Sequence, residues 1–315
     1  MSAASTSPGE KARGRLARAW DSDIAWSFRH SPIAVVSALV VLVCFVAAFG
    51  CDVLAPHDPF NLASLSLSDS FLPPVPLDGS SWSFVLGTDD QGRDVLSAIM
   101  YGARISLIVG FAAIVLALGL GIALGLIAGY FGGFIDAVLM RSADVQLSFP
   151  SLLIALLVDG IVRALLPHDA QNALELYVLI FAIGISRWPQ FARTVRGSTL
   201  VERGREYVMA ARVIGIGPTK IMVSHILPNV LSPVLVLATI NLGLAILDEA
   251  TLSFLGLGLP PTRPSLGTLI SNGNNFLYSG DWWITLYPGI VLAGMVLAIN
   301  LLGDWLRDAL NPRLR

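Results

Sequence analysis

Residues 105–129 read ISLIVGFAAIVLALGLGIALGLIAG, 25 consecutive positions without a charge. A helix crossing the hydrocarbon core needs about 20 such residues, so this stretch is long enough to span a bilayer. Within it Ala113, Ala117, Gly121, Gly125 and Gly129 recur at every fourth position. On a helix they form one stripe of small residues, which lets a second helix approach closely and pack by dispersion. That stripe predicts a compact bundle, with contact inside one subunit as its ordinary use.

Working outward, Ile33–Gly50 is a first apolar run, preceded by about thirty polar residues and not followed by a small-residue cleavage pattern. We expect it to be retained as a helix. Further spans are expected at Phe134–Val158, from Leu176 into Trp188–Pro189, within Val230–Leu257, and at Ile284–Leu302. The third is interrupted by Asp136, Arg141 and Asp144, for which an ion pair near the inner surface is the default. The expected fold is therefore an all-α membrane protein with six transmembrane helices.

Composition agrees. Of 315 residues 55% are hydrophobic and 13% charged, about half the charge of a soluble domain, which excludes a disordered or nucleic-acid-binding chain. Cys44 and Cys51 sit two helical turns apart, too far for a disulfide, and His30, His57, His168 and His225 are scattered. No metal chemistry is expected.

With the N-terminus in the cytoplasm, 16 of the 20 Lys and Arg residues fall on the inner side, seven of them between Arg187 and Lys220. Asp52–Asp94 places seven acids outside. Both termini are then cytoplasmic. The expected order is an N-terminal tail with an amphipathic helix (1–31, Trp20, Ile24 and Phe28 on one face), a first helix (32–50), an outer loop (51–104), a five-helix core (105–303) containing an inner loop (186–230), and a short tail (304–315).

The inner loop is the most informative segment. Arg205–Gly215 reads as a short helix ended by glycine, Ile216–Gly217–Pro218 as a turn, and Thr219–Ile226 as a resumed helix before Leu227–Pro228–Asn229. A rigid helical knob with basic flanks between two spans is built to meet something cytoplasmic.

Ala210–Ala211, Gly215 and Leu227–Pro228 resemble the EAA loop of ATP-binding-cassette importer permeases. Leu86–Val95, Tyr101–Leu107, Leu252–Gly258, Pro288–Gly289 and Asn300–Arg313 resemble the dipeptide and oligopeptide permeases of the DppC/OppC type. The resemblance runs from about Trp26 to the C-terminus. It implies a permease subunit forming half of the translocation pathway for di- and oligopeptides, with Met209, Ala210, Ala211, Gly215, Leu227 and Pro228 coupling it to the ATPases. Its implied partners are a homologous second permease, two cytoplasmic ATP-binding subunits and a periplasmic or lipid-anchored solute-binding protein. Met209 stands where the family has its glutamate and His225 where it has isoleucine; Leu266 precedes Gly267 where relatives often carry an aromatic residue. The chain has no G-x-x-x-x-G-K-[ST] sequence and only two lysines, Lys11 and Lys220, so it cannot cradle ATP as a P-loop does, and ATP and magnesium are expected on the partner ATPases alone.

Asp248 and Glu249 lie in the fifth span, where a charge at mid-bilayer costs at least about 2.5 kcal/mol on insertion scales. A structural or interface role is favoured over peptide contact. Other cargoes of the same permease class (nickel chelates, glutathione, small glycosides) fit the same residues. A secondary transporter would need an internal repeat and broken helices, and an intramembrane enzyme a catalytic constellation within the spans; neither pattern is evident.

Overall fold

The computed structural model describes residues 23–60, 65–165, 168–259 and 263–310. Ten helices build it: α1 (Asp23–His30), α2 (Pro32–Phe49), α3 (Val95–Phe131), α4 (Gly133–Leu147), α5 (Ser151–Leu165), α6 (His168–Glu202), α7 (Glu206–Val213), α8 (Leu227–Phe254), α9 (Leu266–Asn274) and α10 (Trp283–Leu310). Short helical turns, Cys51–Leu54, Leu67–Asp69 and Leu277–Ser279 among them, lie between these. Trp20, the tail before residue 23, Pro260–Pro261 and Arg313 lie outside the described residues.

Among the described residues, four helices are long and apolar enough to cross a bilayer: α2, α3, α10, and α8 together with the turns from Pro218 that precede it. The pair α4–α5 adds a fifth if it is one span. The expected fourth span, from Leu176, lies inside α6, whose second half carries Arg187, Arg193, Arg196 and Glu202.

The boundaries differ from expectation in physical detail. The helix expected from Ile105 begins ten residues earlier, because the Asp94 carboxylate accepts from Ser97 N at 3.0 Å and caps it there. The inner loop expected from residue 186, helical by pattern, continues α6 without a break to Glu202, and 304–310 continues α10. The expected third span is bent by 97°. At that break Pro150 disfavours a helical Phe149, and the Ser148 hydroxyl donates back to the Asp144 carbonyl at 2.9 Å.

The α3–α6 seam is the backbone of the bundle. Ala113, Ala117, Gly121, Gly125 and Gly129 are all buried. A Cβ on Gly121 would stand 2.3 Å from Phe191 Cβ, one on Gly125 2.6 Å from the Ala192 carbonyl, and one on Gly129 2.7 Å from Thr199 Cβ. In lipid, where the hydrophobic effect gives no drive between helices, this close contact supplies dispersion instead.

Proline shapes α6 as well. Pro189 has no N–H, so the Ile185 carbonyl loses its helical donor. Gln146 of α4 replaces it, donating Nε2 to Ile185 O at 2.7 Å while its Oε1 accepts from Trp188 Nε1 at 3.0 Å. Nearby, Asp136 and Asp144 pair with Arg196 and Arg193 of α6 (Arg196 Nη2 to Asp136 at 2.6 Å), so the expected pairing within α4 is replaced by pairs between helices.

The asymmetry of hydrogen bonding predicts how the Asp136 pair responds to mutation. Asp136→Leu alone leaves Arg196 without its carboxylate and should cost about 1–3 kcal/mol, whereas Asp136→Leu with Arg196→Leu should recover most of it. Thermal unfolding of the three proteins checks this. A double variant no more stable than the single one would refute it.

Candidate functional site

The knob expected between the spans forms as α7. The Arg205 backbone opens it, and Gly215 ends it with φ +79°, its N–H donating to Arg212 O while Ile216 N donates to Ala211 O at 3.0 Å. This termination satisfies the last carbonyls of the helix and needs a left-handed residue, which glycine adopts without a Cβ penalty. A Cβ at Gly215 would meet nothing within 4 Å, so conformation, not close approach, is what glycine provides here. Gly217–Pro218 then starts the next turn, followed by a π-helical segment, Ile221–Ile226, that leads into α8.

The helix has two faces. Val208 and Ala211 are buried against Ile221, Met222 and Ile226. Met209, Val213 and Ile214 point away from the bundle, 49%, 87% and 75% exposed, with Ala210 also exposed. Of the two alanines, then, Ala211 seats the helix and Ala210 belongs to the outer face. Leu227 and Pro228 open α8 beside it.

Polar contacts hold the knob to three long helices. The Tyr207 hydroxyl donates to Glu202 Oε2 at the end of α6 (2.6 Å) and accepts from Asn229 Nδ2 in α8 (3.0 Å). Arg212 lies 4.8 Å above the Tyr130 ring at the end of α3. Arg203 donates to the Gly129 and Tyr130 carbonyls, closing the C-terminus of α3.

Asp248 and Glu249 lie in the last two turns of α8 and have separate surroundings. Arg187 of α6, 3% exposed, donates to Asp248 Oδ2 through Nε (3.1 Å) and Nη2, and to Asn241 Oδ1 through Nη1 (3.1 Å). Glu249 is wholly buried and accepts from Ser106 of α3 (2.6 Å) and Ser253 (2.7 Å). The sequence pattern puts Arg187 at the start of the inner loop, and the structure buries it within α6 against Asp248 of α8. An arginine beside an apolar run, with an acid in another span, was the available signal. Sixty-one residues separate the two, and nothing local paired them.

At the opposite end of the bundle the acidic segment that precedes α3 is folded. Asp89 accepts from Gln91 N, Arg93 N and Arg93 Nε, and Trp283 at the start of α10 donates its indole N–H to the Thr88 carbonyl at 3.0 Å. Among the described residues no group of histidine, cysteine or acids could hold a metal ion.

The pattern described as the binding-protein-dependent transport system inner membrane component matches residues 121–315, which include the Gly121–Gly129 part of the α3–α6 seam, the knob and both acids. The chain belongs to this permease family. A second pattern, the N-terminal TM domain of oligopeptide transport permease C, matches residues 19–74.

Named relatives cover nearly the whole permease. The dipeptide transport system permease protein DppC of Escherichia coli K12 is 43% identical over 290 residues, 91% of each chain. That of Haemophilus influenzae is 38% identical over 288 residues (91% of this chain, 93% of the relative), and the di/tripeptide transport system permease protein DppC of Pseudomonas aeruginosa is 39% identical over 290 residues (92% and 91%). A solved inward-facing structure of the MetNI methionine ABC transporter shares the permease fold, with a TM-score of 0.53 at 19% identity over 68% of this chain and 96% of that one. The permease is thus a multi-pass inner membrane component of an ABC importer, of a family whose members are transporter membrane subunits.

Proposed function

We propose that this permease forms half of the translocation pathway of an ABC importer for di- and oligopeptides, and that α7 is the helix through which separate ATPases drive it. The observation that carries the reading is the outward face of α7: Met209, Val213 and Ile214 are exposed at the end of the molecule where α3, α6 and α8 are tied together. Apolar residues raised on a rigid base suit a partner's groove, where a few buried anchors dominate binding. Peptide cargo comes from the relatives' names and their extent of match.

In this reading a homologous second permease completes the pathway, two ATP-binding subunits meet the two coupling helices, and a solute-binding protein delivers the peptide to the outer segments. ATP and magnesium stay on the ATPases. Closure of the ATPases moves the knob, and the ties at Tyr207, Arg212 and Arg203 carry that motion into the spans as a rigid-body change. In this reading α7 and both termini are cytoplasmic, which the excess of basic residues around α7 supports.

The test is co-purification. Val213→Asp puts a charge on a highly exposed position, so the permease itself should fold and insert normally. We expect it to lose its ATPases while keeping the second permease. Retention of both ATPases at wild-type stoichiometry would sink the docking assignment. Cargo is checked separately, by screening the cognate binding protein against dipeptides, glutathione and nickel chelates.

A further inference from the structure

We infer that Asp248 and Glu249 form a relay in α8 that connects the coupling helix to α9 at the opposite end of the bundle; the inference rests on the docking reading above. Successive residues on a helix point in different directions, so the two acids address different neighbours. Asp248 faces α6 and holds Arg187, which also holds Asn241 about two turns back on α8. Glu249 faces α3 and holds Ser106.

Ser106 carries the chain of contacts onward. Its hydroxyl oxygen accepts from Leu266 N, the first residue of α9, at 3.4 Å. Beside it the fit is tight: a Cβ on Gly267 would stand 2.3 Å from the Ala250 carbonyl, one residue beyond Glu249. At the other end, α6 and α8 are bonded again through Tyr207. The two helices that flank the knob are therefore tied at its base and again at Arg187–Asp248, which makes them one lever. Any movement of that lever carries Glu249, and with it Ser106 and the start of α9.

Energetics favours a purpose for these groups. Ionisable side chains inside spans are expensive, and a packed apolar pair would join α6 to α8 at least as firmly. A directional linkage between two discrete arrangements is what the polar contacts add. Asp248, Glu249 and Arg187 are positioning residues here, acting through the helices they hold.

Hydrogen exchange on the assembled transporter in nanodiscs, apo and trapped with ATP and vanadate, tests this without knowledge of the cargo. In the wild type, trapping should slow exchange in α7 as the ATPases dock, and shift exchange of the α9 amides by about tenfold. In Asp248→Asn and in Glu249→Gln the α7 response should persist while the α9 shift falls below about twofold, and the double variant should add nothing to either single one. The charge-swapped pair Arg187→Asp with Asp248→Arg should restore part of the α9 shift.

The outcomes separate the two readings. No α7 response in the wild type removes the docking assignment. An α7 response with α9 unmoved in the wild type overturns the relay, whatever the variants do, as does an α9 shift that survives in both single variants.

Discussion

Gly215→Val should reduce ATP-driven transport at least tenfold while leaving insertion and pairing with the second permease intact. At φ +79° a β-branched side chain collides with its own backbone, a conformation that costs an ordinary L-residue about 1–2 kcal/mol and valine more. The space around the position is open, so the strain cannot be blamed on packing. The helix end must instead rearrange, which moves Val213 and Ile214, the two most exposed apolar residues of the knob. Gly215→Asn is the control, since asparagine enters the left-handed region and is accepted at helix C-termini. Transport and ATP hydrolysis measured on reconstituted transporter should fall for valine and stay near wild type for asparagine. Equal loss in both would overturn the assignment of backbone conformation as what Gly215 provides.

The second large effect lies in the seam. Gly121→Leu should prevent a folded permease from accumulating in the membrane. Its Cβ would enter within 2.3 Å of Phe191 Cβ, 3.0 Å of Ala192 N and 3.1 Å of the Trp188 carbonyl, and backbone atoms of a packed helix cannot yield by that much. Overpacking a core costs about 1–3 kcal/mol, and here the whole of α6 would be lifted off the neighbouring Gly125 and Gly129 contacts as well. Gly119→Leu, two residues away on the same helix, meets nothing within 4 Å and should be tolerated. Fluorescence-detected size-exclusion chromatography of the two variants gives the comparison. A monodisperse Gly121→Leu permease at wild-type yield would overturn the account of the seam.

Both positions were visible in the sequence, for different reasons. The Gly121–Gly125–Gly129 ladder is a local periodicity, and a stripe of small residues on one helix announces a close neighbour without saying which. The glycine at 215 closes a helical pattern and is followed by Gly217–Pro218, so its role as a terminator was legible too. What the pattern did not reveal was that Gly215 serves by its dihedral angle and Ala211 by burial, because both depend on where the rest of the bundle lies.

The sequence by itself determined that this is an all-helical membrane protein of the binding-protein-dependent permease family, with a helical knob between spans. Hydrophobic length, small-residue spacing and helix punctuation are local, so they survive in one dimension. Tertiary structure alone decided the partners. It set Arg187 on Asp248, Glu249 on Ser106, and Asp136 and Asp144 on Arg196 and Arg193 of the next helix. It also bent α4–α5 sharply and gave the carbonyl freed by Pro189 to Gln146. A charge in hydrocarbon must find an opposite charge or a hydrogen bond, but which one it finds depends on how the helices cross. That crossing is a property of the packed bundle.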